Sequence, residues 1–285
     1  MAYNNHDKPY PRQDKDSDSK DLSPPPYTTN NTSSSPLPPL PRHPPQPQFA
    51  PTPGRFPPEF SMYKASSWGS QRHYYLAAHQ ASAPLYAVSL HSGWSGQPSV
   101  VLHAGPEEAC PALATVDEAS FSRSSTVTLL PGAGGVGEVG GGQFRFDPAP
   151  GSTLGHAMQF SVPVEQRLES FEWRHSRAPE VLGLGGRSSG WKLVRLATDA
   201  PAGTGEMGFV GGGATSRSDG REVVAVWAWP AASRSKALKF RFLGSGAGGA
   251  LGDRWQVAAV ATALRIWDRE RKARNSAAAG GGGGA

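Results

Sequence analysis

A single cysteine, Cys110, in 285 residues rules out an internal disulfide framework and points to a reducing compartment. No stretch reaches the 18 or so apolar residues that a membrane-spanning helix requires. The N-terminus, MAYNNHDKPYPRQDKDSDSK, has no apolar run and does not read as a signal peptide. The expectation is a soluble cytoplasmic protein that could still rest on the cytosolic membrane surface. Aliphatic periodicity is missing from the first sixty residues, which hold 16 of the 27 prolines. A segment such as SPPPYTTNNTSSSPLPPLPRHPPQPQF cannot bury enough apolar surface to offset its ordering entropy. Residues 1–60 are therefore expected to be a disordered proline-rich arm, and the Ala/Gly run 276–285 a flexible tail. Residues 61–275 remain for a domain with a sizeable core.

What that domain does have is alternation. Eleven strings read as strands: RHYYLAAH, PLYAVSLH, SVVLHAG, PALATVD, STVTLL, GQFRFD, HAMQFSVPV, LESFEWRH, WKLVRLA, REVVAVWAW and KALKFRFLG. In FEWRH, Phe171, Trp173 and His175 share one face and Glu172 and Arg174 the other. In KALKFRF, Leu238, Phe240 and Phe242 oppose Lys239 and Arg241. Glycine-rich breaks separate the strings, as in an antiparallel sandwich or barrel.

The chain then turns helical. Asp253 and Gln256 read as a helix start resembling a capping box, opening a helix over about 253–275. Trp255, Ala259 and Ile266 occupy one side, Val257, Val260, Leu264 and Trp267 the opposite, and Ala258, Ala261 and Thr262 a third. A helix apolar on all sides is buried on all sides. Trp255 to Trp267 spans roughly 20 Å, too short for the ~30 Å bilayer core. Protein must wrap it, and the strands are what is available. The expected fold is mainly β: a closed antiparallel β-barrel around a buried hydrophobic C-terminal α-helix, which also leaves no sheet edge exposed.

The strings FEWRHS, GWKLVRL, EVVAVWAW and ALRIWDRERK resemble the fungal branch of the tubby C-terminal-like superfamily, shared by tubby proteins, phospholipid scramblases and plant LURP-one-related proteins. The resemblance covers about residues 72–275 and implies the same barrel around a helix. It also implies binding of a phosphoinositide, since tubby holds phosphatidylinositol bisphosphate in a basic surface groove. No residue of that groove is carried over to this chain.

Catalytic motifs find no support. Gly132, Gly134 and Gly137 match G-x-G-x-x-G without a following helix, and Gly244, Gly246 and Gly249 match it where no second parallel strand follows. The latter read as glycines that turn the chain into the barrel. Gly186, Ser188 and Gly190 match G-x-S-x-G, but a strand rather than a helix follows, so the nucleophile elbow is missing. The histidines show no zinc spacing. No enzyme, metal, cofactor or nucleic-acid partner is expected.

Charge is more informative. Residues 61–171 carry five basic and eight acidic groups, and residues 172–285 seventeen and nine, so the second half is strongly basic. Arg174, Lys239 and Arg241 are expected to point outward, with Lys192 and Arg195 on a nearby strand, as candidates for gripping phosphate oxygens of a lipid headgroup. Arg269, Arg271, Lys272 and Arg274 follow the apolar part of the helix, where the C-terminal dipole suffices to explain them. In the arm, Pro24, Pro25 and Tyr27 belong to a PPPY string that resembles ligands of WW domains, including those of HECT-type ubiquitin ligases. The expected function is a non-enzymatic peripheral module for anionic phospholipid, phosphoinositide above all; the alternative is an adaptor that recruits WW-domain proteins.

Overall fold

The computed structural model describes residues 54–65, 73–92, 95–118, 123–132, 141–152, 156–196 and 221–280, all within the compact unit Phe49–Ala285. The strands are β1 Glu59–Lys64, β2 His73–Ala77, β3 Tyr86–Leu90, β4 Val100–His103, β5 Ala112–Glu118 and β6 Ser125–Leu129. They continue with β7 Gly142–Pro148, β8 Ala157–Val164, β9 Arg167–Ser176, β10 Gly186–Arg195, β11 Val223–Pro230 and β12 Lys236–Phe242. Three helices accompany them: α1 Pro179–Leu182, α2 Gly244–Ala247 and α3 Gly252–Gly280. Each strand pairs antiparallel with its chain neighbours, and β1 pairs with β12 to close a barrel.

The eleven strings read from the sequence fall on β2 to β12, although β10 starts five residues earlier, at Gly186. The twelfth strand is a correction. The boundary at residue 60 cuts through β1, whose Phe60 and Met62 are buried and whose Phe60 ring stacks on Phe240 at 4.8 Å. Phe56 is also buried, its ring 4.6 Å from that of Tyr86. The prolines before Glu59 hid a short alternating run that the sheet needs for closure. The helix also runs on to Gly280, into the stretch expected to be a flexible tail; its alanines are the strongest helix formers.

The expected core is present. From Trp255 to Asp268 every residue of α3 is buried, and its bonds reach strands around the barrel. Trp173 Nε1 of β9 donates to Thr262 Oγ1 at 2.9 Å, Arg265 Nε to Ser125 Oγ of β6 at 2.8 Å, and Trp267 Nε1 to the Ala237 carbonyl of β12 at 2.9 Å. Each large apolar side chain so buried contributes about 1.5–3 kcal/mol. Arg265 and Asp268 are the charges inside this stretch, beside the buried polar Gln256 and Thr262; Arg265 pairs with Glu118 at 2.8 Å and Asp268 accepts from Arg271 at 2.7 Å.

Asp253 and Gln256 do lie at the start of the helix, but their side chains accept from the backbone N–H groups of Arg55 and Phe56, anchoring the chain that leads into β1. Before them, Gly244, Gly249 and Gly252 adopt positive φ of 49°, 73° and 77°, and a Cβ on Gly246 would strike the Val224 carbonyl. These glycines turn the chain into the barrel. The helix enters at this end and leaves at the other, beside the end of β1 and the β11–β12 hairpin. A second apolar cluster lies outside the wall, where Val181 and Leu184 around α1 cover Val223, Val226 and Ala228 of β11. That is why β11 is buried on both faces.

Candidate functional site

The five basic residues read from the sequence do come to neighbouring strands, though not to one open surface. Arg174 of β9 lies opposite Lys192 of β10, Lys192 opposite Val226 of β11, and Val226 opposite Arg241 of β12. Lys239 stands two residues from Arg241 on the same strand face. All of them have protein partners. Arg174 donates to Glu172 at 2.7 Å, and Arg241 to Glu59 at 2.8 Å. Lys239 Nζ donates to the Leu184 carbonyl at 2.6 Å. Lys192 is buried and lies 3.9 Å from Glu180 of α1. Arg195 points elsewhere, to Glu169, with two hydrogen bonds of 2.6 Å. A phosphate here would have to displace carboxylates and the α1 segment that covers the row.

An open cationic surface lies at the end of the barrel where α3 emerges. There a cleft of about 400 Å³ runs between the helix and the strand ends. Five adjacent strands supply its wall in sheet order: Tyr74 from β2, Lys64 from β1, Lys236 from β12, Trp229 from β11 and Arg187 from β10. The helix supplies Trp267, Arg271 and Arg274, spaced four and three residues apart and so on one face. Five cations thus converge, and no carboxylate is among the described lining residues. Arg271 is held by Asp268 from the preceding turn and lies 5.7 Å from the centre of the Trp267 ring. Lys236 Nζ lies 5.5 Å from the Tyr63 ring centre. Lys64 and Arg187 are exposed, without a carboxylate partner among the described residues. Arg187 stands close enough to Arg274 to disfavour its charge, an effect added to the larger one of burial, while Glu270 opposes both.

A second recess of about 230 Å³ adjoins the cleft and shares Trp229 and Arg274 with it. Glu270 forms its wall: one carboxylate oxygen accepts Trp191 Nε1–H at 2.8 Å and the other Trp229 Nε1–H at 2.5 Å. Arg274 lies 3.8 Å from Glu270 and 4.0 Å above the Trp229 ring. His175 lines the same recess; burial pushes its pKa below the ordinary 6.5, with Glu270 acting the other way and His156 in the same sense. Gly190 has to be glycine, because a Cβ there would strike the Trp227 carbonyl and Val181. Among the described residues no three His, Cys, Asp or Glu side chains converge to hold a metal ion.

The sequence pattern assigns Arg271 and Arg274 only to the helix dipole. Their spacing from Trp267 signals a shared face, but Lys64, Arg187 and Lys236 lie on three separate strands whose closure brings them there. Pro24, Pro25 and Tyr27 of the PPPY string lie outside the described residues. No helix of the described chain is long and apolar enough to cross a membrane.

Fold and site together define a closed twelve-stranded antiparallel barrel with a C-terminal helix and a cationic cleft at the helix exit. In the comparisons with known proteins, no family model, no curated protein and no solved structure matches this chain.

Proposed function

We propose that this protein is a non-enzymatic peripheral binding module for anionic phospholipid, and that the headgroup phosphate enters the cleft at the helix exit. The observation that carries the reading is the convergence of Lys64, Arg187, Lys236, Arg271 and Arg274 on one cleft without a lining carboxylate among the described residues. Arginine forks and lysine ammonium groups are the natural partners of phosphate oxygens, and each cation near an anionic membrane surface contributes about 1 kcal/mol. The cleft opens at the barrel end, so a membrane surface can approach it without unfolding any strand. The tubby-like resemblance of the sequence strings, in a barrel closed around a C-terminal helix, supports the same reading. The resemblance taken alone implies a phosphoinositide; the cleft commits only to a headgroup phosphate.

The test is co-sedimentation of the full chain with vesicles of phosphatidylcholine alone, with phosphatidylserine, and with phosphatidylinositol bisphosphate. The full chain is needed because a cut at residue 61 would remove Phe56 and Phe60 from the core. Pelleting with anionic vesicles that persists at physiological salt supports a headgroup site; pelleting abolished by salt means diffuse charge attraction. Absence of pelleting from every vesicle overturns the reading and returns attention to the PPPY string.

A further inference from the structure

The cleft is cationic, yet the recess that continues it ends on a carboxylate. Glu270 is fixed there, since both of its oxygens accept indole N–H groups from strands on the barrel wall, Trp191 and Trp229. It cannot follow a moving partner. Its cation, Arg274, is held loosely: the closest approach is 3.8 Å, and the guanidinium lies over the Trp229 ring instead of forking onto the carboxylate.

A phosphate seated between Arg187 and Arg274 would take up the charge that now balances Glu270, leaving a fixed carboxylate facing a second anion. A ligand relieves that conflict if it carries its own cation a short distance from the phosphate. Resting on the headgroup reading above, we propose that the cleft and recess together recognise an aminophospholipid: a phosphate ester bearing a primary ammonium two carbons away, as in phosphatidylserine and phosphatidylethanolamine. The phosphate binds Arg187 and Arg274, and the ammonium replaces Arg274 as the partner of Glu270.

The phosphorus and the ammonium nitrogen of such a headgroup are four bonds apart, and the two hollows that would receive them adjoin, sharing Trp229 and Arg274. Chemistry discriminates among alternatives. An ammonium offers three N–H donors to the lone pairs of Glu270 that the indoles leave free. Phosphatidylglycerol and phosphatidic acid bring no cation, a phosphoinositide brings only anions and hydroxyls, and the trimethylammonium of choline has no N–H to donate.

The test compares vesicles of phosphatidylcholine containing equal fractions of phosphatidylserine or phosphatidylglycerol, which have the same net charge, the serine headgroup adding an ammonium and a carboxylate that glycerol lacks; the soluble competitors below isolate the amine. The full chain is expected to prefer phosphatidylserine by about tenfold, the scale of one charge-assisted hydrogen bond. Glu270→Gln should bring the two affinities together by weakening the phosphatidylserine arm alone. Because Glu270 also holds two indoles, a second measurement needs no variant. Soluble phosphoethanolamine should displace the wild-type chain from phosphatidylserine vesicles at a concentration about tenfold below that of glycerol phosphate. Equal binding to both lipids, or equal competition by both phosphates, overturns the aminophospholipid assignment and leaves the anionic-headgroup reading standing. Failure to bind either lipid overturns both.

Discussion

Replacing Arg187 and Lys236 together with glutamine separates the cleft from the outer strand row. Both side chains line the cleft, on β10 and β12, and neither makes an ion pair with a carboxylate among the described residues. Removing them therefore strands no buried charge; only the Lys236 ammonium over the Tyr63 ring, 5.5 Å from the ring centre, is given up. Folding stability should change by less than ~1 kcal/mol. Binding to an anionic membrane should weaken by about 2 kcal/mol, at ~1 kcal/mol per cation near the surface. That is roughly a thirtyfold loss of affinity. A titration of lipid vesicles at physiological salt measures it. The control is Arg174→Gln with Arg241→Gln, two cations already paired with Glu172 and Glu59, which should leave membrane affinity within about twofold, under ~0.5 kcal/mol. An affinity unchanged by the cleft pair, or a larger loss from the outer pair, would refute the placement of the site.

Three further outcomes follow from the fold. Phe60→Ala empties a buried, stacked ring from β1 and should cost ~3–5 kcal/mol, lowering Tm by roughly 6–20 °C in a thermal melt; a shift under ~2 °C would mean that β1 does not close the barrel. Thr262→Val keeps the shape but removes the acceptor of Trp173 Nε1–H, so denaturant unfolding should show a loss of ~1–3 kcal/mol that Thr262→Ser largely restores. Stability should also fall with acid in two windows. His175 has its folded pKa pushed below 6.5 by burial, so the unfolded chain binds more protons and stability drops as pH falls through 6.5 toward the folded value. For Glu118, burial acts upward, but Arg265 and Lys272 outweigh it and hold the carboxyl below 4.5. Its contribution is thus present above 4.5 and lost as pH falls through the folded pKa. His175→Asn should flatten the upper window and Glu118→Gln the lower; unchanged Tm profiles would contradict both assignments.

The barrel was legible because its signals are local. Strings such as KALKFRF alternate with period two, and their inward residues, Leu238, Phe240 and Phe242, are buried as read. The helix was legible because Trp255, Ile266, Leu264 and Trp267 leave no polar side over three turns. What the sequence hid is what depends on closure. Glu59–Lys64 follows directly on a proline run that masks it, and its role as the strand joining β2 to β12 exists only in the folded sheet. The outward cations were correctly set opposite the apolar face, but the pairing of Arg241 with Glu59 and the cover of α1 over Lys192 join residues far apart in sequence. The cleft is harder still. Its cations come from β1, β10, β12 and the helix, and no periodicity within one segment announces them.

The most direct test is hydrogen–deuterium exchange of the full chain with and without phosphatidylserine vesicles. Binding at the cleft should add protection in the β11–β12 hairpin around 230–236 and in the helix around 270–276, at the exit end of the barrel. Protection confined to the outer row around 172–176 and 239–241, or none anywhere at vesicle concentrations that pellet the protein, would contradict it.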